Sequence, residues 1–529
     1  MTGEGSGIET AAVPLPAPGT PPGAPALWPA GLLLTATALL LRVFTTPTGV
    51  DSLDALFFVR GLTRYSVLEA RPHWPGYPVY MAVGRLVALV AADAEASLRV
   101  VSVLASSLSV WPLMAVVHEW RRAAGGALPA ARRAAVLAGL LWVLSPLSWL
   151  VGTQIGSEPL ALLVALTVLW LSSRSVTGSS SDSLPVAGAL AGLLLGIRLP
   201  YGSLLLPLFE AVRRRLASRD GRPTRRALVW CVVAAALPVA AWLGWQVSVD
   251  GRGFFTMADL RLRAHYGNWT GRVLAHGHWF SRPADLARVL VVDGLGGWWP
   301  GLPLGRVPAT VGWVALIVAG GGRLRARPFA WRMFAFWTLP YLLMILLFND
   351  VGLSRYALPL VAAICMLGGM ASPERSLPAY GMAAAMASAL AAVALPLARE
   401  HGRAPLPAVQ WVRYLEHLQP PGRAAVVVTD DVPLVSLLIE EYAPAHRHAL
   451  VSRPEMPALV AAYEAEGRRV YATSPDPTAP QEWTPRACFA RSPFLQSRGP
   501  WELWLYEHGG EPPTRRPVCR EDAASPIVR

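Results

Sequence analysis

Long apolar runs separated by short arginine clusters fill the first 400 residues. Apolar segments fall near 28–44, 97–118, 134–151, 158–172, 184–198, 200–212, 227–248, 307–321, 331–348, 357–371 and 378–397. A helix rises about 1.5 Å per residue, so crossing the hydrocarbon core takes about 20 apolar residues. The pattern predicts an α-helical polytopic membrane protein with about 11 transmembrane helices in a membrane domain over 27–400. Several segments are short, and the two that meet at Arg198-Leu199-Pro200 also read as one broken helix.

After about residue 404 the pattern changes. AAVVVTD (424–430), RHALVSR (447–453), RRVYATS (468–474) and WELWLYEH (501–508) read as strands, with helical patterns at 432–442 and 455–466. That alternation predicts a small C-terminal α/β domain over 404–510, with proline-rich connections and a flexible tail at 511–529. The first 26 residues are rich in Pro, Gly and Ala and read as disordered. They lack the basic start of a secretory signal, so Trp28–Phe44 reads as a retained anchor. No internal repeat of the kind found in many transporters is visible.

Composition agrees. The 529 residues are 53% hydrophobic and only 15% charged, where soluble domains carry about 25%. The net charge of +13 rests on arginine alone, since the sequence has no lysine; with abundant Ala and Gly this points to a GC-rich genome. No basic segment interleaved with aromatics suggests nucleic acid, so the charge is assigned to cytoplasmic loops. The densest such loops are Arg121–Arg133, Arg213–Arg226 and Arg323–Arg332. With an odd number of spans, the opening loop 45–96, the long loop 249–306 and the C-terminal domain lie on the other face. Glu4, Glu9 and Arg42 around the first span argue the opposite way, but the three interior loops agree with one another. Cys231 and Cys365 sit in apolar segments as small hydrophobes, whereas Cys488 and Cys519 would be able to pair outside the cytoplasm.

The candidate chemistry begins where the first span ends. Asp51-Ser52-Leu53-Asp54 puts two carboxylates at i and i+3, on one face if helical. A base that deprotonates an acceptor hydroxyl needs such a group in a partly dry site. The structural alternative makes Asp51 the N-cap and Asp54 the N3 residue of a helix over 52–62. Arg60, Arg64 and Arg71 follow, suited to a phosphate or to interfacial snorkelling. His73-Trp74-Pro75-Gly76-Tyr77-Pro78 forms a rigid aromatic turn, although Trp and Tyr also belong at any membrane interface. Arg355 and Tyr356 stand at the outer mouth of a later span, with Arg198 and Glu158 at similar depth on others. Charges at one level across separate helices fit a polar cavity opening outward. His276 and His278 lack a third metal ligand and, with His265, Tyr266 and Trp279, read as solvated loop residues.

These residues resemble the GT-C superfamily of integral-membrane glycosyltransferases, and within it the protein O-mannosyltransferase-like group, over roughly 28–400. Gly49-Val50-Asp51-Ser52-Leu53-Asp54 is similar to the family's acidic motif in the first outer loop. His73-Trp74-Pro75-Gly76-Tyr77-Pro78-Val79-Tyr80 is similar to its His-Pro-Pro-Gly-Tyr-Pro turn, with Trp74 in place of proline. Ala96-Ser97-Leu98-Arg99 resembles the arginine-bearing start of the second span; Ser157-Glu158-Pro159, Gly196-Ile197-Arg198 and Arg355-Tyr356 resemble weaker positions. The resemblance implies a bacterial inner-membrane enzyme that takes a sugar from a polyprenyl-phosphate donor to an extracytoplasmic acceptor hydroxyl with inversion. It implies a catalytic role for Asp51 or Asp54. Asp51 is favoured as the base because it comes first, and Asp54 would orient it or help hold a divalent metal such as Mg or Mn. Arg355 is the first candidate for the leaving phosphate, with Arg99, Arg198 and Tyr356 beside it. His73, Trp74, Tyr77, Tyr80 and Glu158 would bind substrate. A catalytically inactive relative and a lipid or sugar transporter are the competing readings.

Overall fold

A computed structural model describes residues 27–123, 125–178, 183–217, 221–267, 280–403, 405–420, 422–429, 432–474, 482–490 and 502–511, with positions 513, 517 and 519. The expected N-terminal tail, His276, His278, Trp279 and the side chains of His265 and Tyr266 lie outside the described residues.

The polytopic helical architecture is present. Among the described residues six stretches are long and apolar enough to cross a membrane: Ala94–Arg122, Glu158–Thr177, Arg225–Asp250, Leu304–Arg325, Pro328–Phe348 and Ser376–Leu418. A seventh forms if Leu128–Leu144 and Pro146–Thr153, bent by 59°, count as one. Trp28–Phe44, Ser183–Ile197 and Ser354–Met370 are shorter apolar helices, and so is Pro78–Ala88, which hydropathy alone did not number among the spans. The chain is broken rather than continuous at Arg198: one helix stops at Ile197, Arg198 is extended, and a 3₁₀ turn at Leu199–Leu205 leads into Leu206–Ala217. Pro200, at the start of that turn, restricts the backbone there.

In lipid, helices associate where small residues let backbones approach. We label α1 Ser183–Ile197 and α2 Gly221–Asp250. Gly188 and Gly192, one turn apart on α1, face the carbonyls of Cys231 and Ala235 on α2, and a Cβ at either glycine would collide with them.

The helices share two ends. At one end Arg121 bonds the Glu374 carboxylate at 2.6 Å, Arg323 donates to the carbonyls of Ala371 and Ser372, and Arg327 donates to that of Arg121 at 3.0 Å. Arg214 stacks on Phe329 at 5.2 Å, and Arg215 donates to the Ser175 carbonyl at 2.7 Å. Residues of all three arginine-rich loops therefore meet at one end of the bundle. The opposite end carries Asp51, Asp54, Glu158, Arg198 and Arg355.

The C-terminal domain sits on that second end. Its sheet runs β2-β1-β3-β5-β4, with β1 Ala424–Thr429, β2 Arg447–Val451 and β3 Arg469–Ser474 parallel. Two strands, β4 Trp483–Ala490 and β5 Glu502–His508, add on antiparallel. Helices α3 Pro407–Leu418, α4 Pro433–Tyr442 and α5 Met456–Ala465 accompany the sheet. The alternation expected from sequence is present, but β4 lies where the sequence predicts a proline-rich connection. Pro485 is accommodated there because the register shifts between Pro485 and Ala487, a bulge where a missing N–H is tolerated. Cys488 and Cys519 are joined by a disulfide, while Cys231 and Cys365 are free and buried.

Candidate functional site

The opening loop is fixed first by local chemistry. Ser52, not Asp51, caps helix α6 (Leu53–Thr63): its hydroxyl accepts from the Ala55 N–H at 3.0 Å. The capping arrangement considered from sequence is thus shifted by one residue. Asp54 lies in the first turn of α6, and the Asp51 carboxylate turns to another element. Its Oδ2 accepts from the backbone N–H of Ile155 at 2.9 Å and lies 3.8 Å from Arg99 Nη1. The Asp51 side chain is only 4% exposed, that of Asp54 30%.

Asp54 faces an ionic chain. Arg355 bonds its carboxylate, and His73 Nε2 stands 3.8 Å away. Arg355 Nε is 3.3 Å from Glu158 Oε1, and Arg198 Nη2 approaches the same oxygen at 3.1 Å. Ser157 accepts from Arg198 Nη1 at 2.9 Å. The Tyr356 ring lies 5.3 Å from the Arg198 guanidinium and 5.5 Å from that of Arg355. Two carboxylates and two guanidiniums therefore alternate along one line. Burial pushes the Asp54 carboxyl up, but the charges of Arg355 and then His73, with the Arg355 hydrogen bond, prevail and hold it at about 2. Burial pushes the His73 imidazole below its usual value, against the pull of Asp54, so the ring is neutral near pH 7.

The aromatic turn closes one side. Tyr77 has a left-handed backbone (φ 49°) just before Pro78 starts the helix Pro78–Ala88, and Gly76 has φ 89°. His73 Nε2 and the Tyr77 hydroxyl are 3.0 Å apart. Buried Gln246 on α2 donates to the Pro75 carbonyl at 2.6 Å and to the Tyr65 hydroxyl at 2.9 Å, tying the turn to the bundle. Trp74 and Tyr77 line an apolar cavity of about 220 Å³ with Gly196, Arg198, Trp242 and Gln246. Tyr80 instead packs edge-on against Phe58 at 5.1 Å in the core.

The structure brings Asp54, His73, Tyr77, Glu158, Arg198, Arg355 and Tyr356 together, with Asp51 and Arg99 forming an adjoining pair. Arg60 and Arg71 point elsewhere: Arg60 bonds Glu440 and Glu441 of the C-terminal domain, and Arg71 lies 3.8 Å from Glu69. Sequence reading missed Gln246, and it gave Ser157 only as a neighbour of Glu158 in a weaker family position. The signal for Gln246 was present: it is a lone amide inside an apolar segment.

Among the described residues these carboxylates do not gather with a third ligand as a divalent metal requires. Asp54 Oδ2 lies against Arg355, and Glu158 Oε1 against both Arg355 and Arg198. Among the described residues the one close cluster of His, Cys, Asp or Glu is Cys488, Glu502 and Cys519, whose cysteines are bonded to each other.

Residues 66–212 match the Protein O-mannosyl-transferase TMEM260 N-terminal domain. No curated protein matches the chain. The fold is similar to that of ArnT from Cupriavidus metallidurans bound to undecaprenyl phosphate, with a TM-score of 0.54 at 14% identity, covering 92% of this chain and 98% of ArnT. The same protein in the apo state gives 0.54 at 15% identity. An Archaeoglobus fulgidus oligosaccharyltransferase reaches a TM-score of only 0.44 at 14% identity, over 85% of this chain and 69% of that one. The chain thus carries a stretch similar to an O-mannosyl-transferase domain, which begins after Asp51 and Asp54, and it is a polytopic helical membrane protein that shares its fold with ArnT.

Proposed function

We propose that this protein is a membrane glycosyltransferase that moves a sugar from a polyprenyl-phosphate donor to an acceptor hydroxyl on the extracytoplasmic face of a bacterial inner membrane, with inversion. The observation that carries the reading is the pair of arginines, Arg198 and Arg355, converging on one carboxylate beside Asp54. A departing polyprenyl phosphate gathers negative charge in the transition state, and cationic groups fixed beforehand stabilise it. Undecaprenyl phosphate is bound by the similarly folded ArnT, which supports a lipid-phosphate donor here.

Asp51 is the base in this reading. A general base works best with a pKa near the working pH, and Asp54 is held at about 2 by Arg355 after burial is outweighed. Asp51 removes the acceptor hydroxyl proton as the oxygen attacks the anomeric carbon; the bond to the phosphate oxygen breaks with its electron pair on the phosphate. Arg355, with Arg198 and Tyr356 behind it, receives that charge, while Asp54 and Glu158 keep the guanidiniums in place. His73, Trp74 and Tyr77 border the substrate space.

The three arginine loops gathered at the end away from the site support the orientation. The disulfide at Cys488 and Cys519 supports an oxidising compartment for the C-terminal domain. The test is a mass-spectrometric comparison of envelope glycans and glycoproteins with and without the gene. Loss of one sugar from one acceptor class is expected. An unchanged glycan profile with a loss of vectorial lipid or sugar transport in vesicles would favour a transporter instead.

A further inference from the structure

The C-terminal domain touches the membrane domain at the two elements that carry Asp51 and Asp54. Arg60, six residues beyond Asp54 on α6, bonds Glu440 at 3.1 Å, Glu441 at 3.0 Å and the Leu437 carbonyl at 3.1 Å, all on α4. Gly49, two residues before Asp51, has φ 80°, and a Cβ there would stand 3.1 Å from Val409 on α3. At the end of α4 the Tyr442 hydroxyl donates to Glu95.

Glu95 lies one turn before Arg99, with their charged atoms 4.0 Å apart. Arg99 donates to the Gly49 carbonyl, and to that of Thr153 at 3.2 Å, while approaching Asp51 at 3.8 Å. An i,i+4 ion pair at this separation is weak when its carboxylate is free to rotate. Tyr442 removes that freedom from the far side. A continuous polar path therefore runs from the C-terminal domain through Tyr442, Glu95 and Arg99 to the Asp51 carboxylate, 391 positions before Tyr442 in the sequence (442 − 51).

We propose that Tyr442 and Glu95 are positioning residues, through which the C-terminal domain sets Arg99 and so fixes the orientation of Asp51. The catalytic consequence rests on the reading of Asp51 as base; the geometric coupling does not. The direct reporter is the Ile155 amide, whose N–H is bonded to Asp51 Oδ2. Hydrogen exchange is read at that amide in full-length protein in nanodiscs. Tyr442→Phe and Glu95→Gln should each speed exchange about fivefold, the range expected for one lost hydrogen bond. The double variant should go no further, because both act on one path. Exchange of the β1 amides should stay unchanged in the same samples. With an undecaprenyl-phosphate-linked sugar as donor, both variants should lower kcat and leave the donor KM unchanged. Wild-type exchange at Ile155 in both variants would overturn the proposal. Faster exchange without any sugar transfer by the wild-type protein would uphold the coupling and defeat the role given to Asp51.

Discussion

The Arg355 guanidinium is bonded to the Asp54 carboxylate across 301 positions of sequence. In the proposed reaction this bond is a competitor, because a donor phosphate and Asp54 claim the same guanidinium. Removing the carboxylate charge should therefore tighten phosphate binding. Asp54→Asn should bind undecaprenyl phosphate about fivefold more tightly than wild type, and Arg355→Ala at least about tenfold more weakly, as charge-assisted hydrogen bonds allow. Equilibrium binding by tryptophan fluorescence measures both. Equal affinities in all three proteins would remove Arg355 from the phosphate site.

The pH dependence has a definite sign. The imidazole of His73 is held below its usual value by burial, so the folded protein favours the neutral ring. Its contribution is complete above 6.5, the unperturbed value, and is lost as pH falls toward the lower folded value. Asp54, with burial outweighed by Arg355 and His73, keeps its contribution above 3.8 and loses it only toward about 2. Destabilisation between pH 7.5 and 5.5 at this site thus comes from His73. His73→Phe should lose less melting temperature than wild type over that interval, by on the order of 2 °C. Parallel pH curves would contradict the assignment.

Gly76 combines a left-handed φ of 89° with neighbours that leave no room for a Cβ: Gln246 Nε2 and the Tyr65 hydroxyl. Gly76→Ala should cost about 1–3 kcal/mol and loosen the turn that carries His73 and Tyr77. Thermal unfolding followed by intrinsic fluorescence reads the loss; an unchanged midpoint would mean that α2 does not hold the turn.

Much of this site was legible in the sequence. Asp51, Asp54, Glu158, Arg198 and Arg355 stand out because charges at the ends of apolar runs are costly, and their shared depth predicts one cavity. Their pairing was not legible, since nothing local states that Arg355 meets Asp54 while Asp51 turns to Ile155. Ser52 took the cap because its hydroxyl reaches the Ala55 N–H from an extended backbone, a choice that the adjacent capping residues Asp51 and Ser52 leave open. Strand β4 was hidden by Pro485, which a bulge absorbs. The path from Tyr442 to Arg99 joins two domains, and such contacts leave no periodic trace.

Orientation has its own test in Cys488 and Cys519. The two cysteines should resist a membrane-impermeant maleimide in intact spheroplasts, then label after mild reduction from outside. Labelling that requires a permeabilised membrane would place the C-terminal domain in the cytoplasm.

The central claim is that Asp51 is the base in a sugar transfer from a lipid phosphate. The direct measurement uses membranes lacking the native protein, supplied with a polyprenyl-phosphate-linked sugar and either wild-type or Asp51→Asn protein at equal inserted amounts. Release of polyprenyl phosphate and labelling of the acceptor are followed together. A fall of about 10²–10⁴-fold in rate, as for loss of a general base, is the predicted result. Transfer by Asp51→Asn at the wild-type rate would contradict the account.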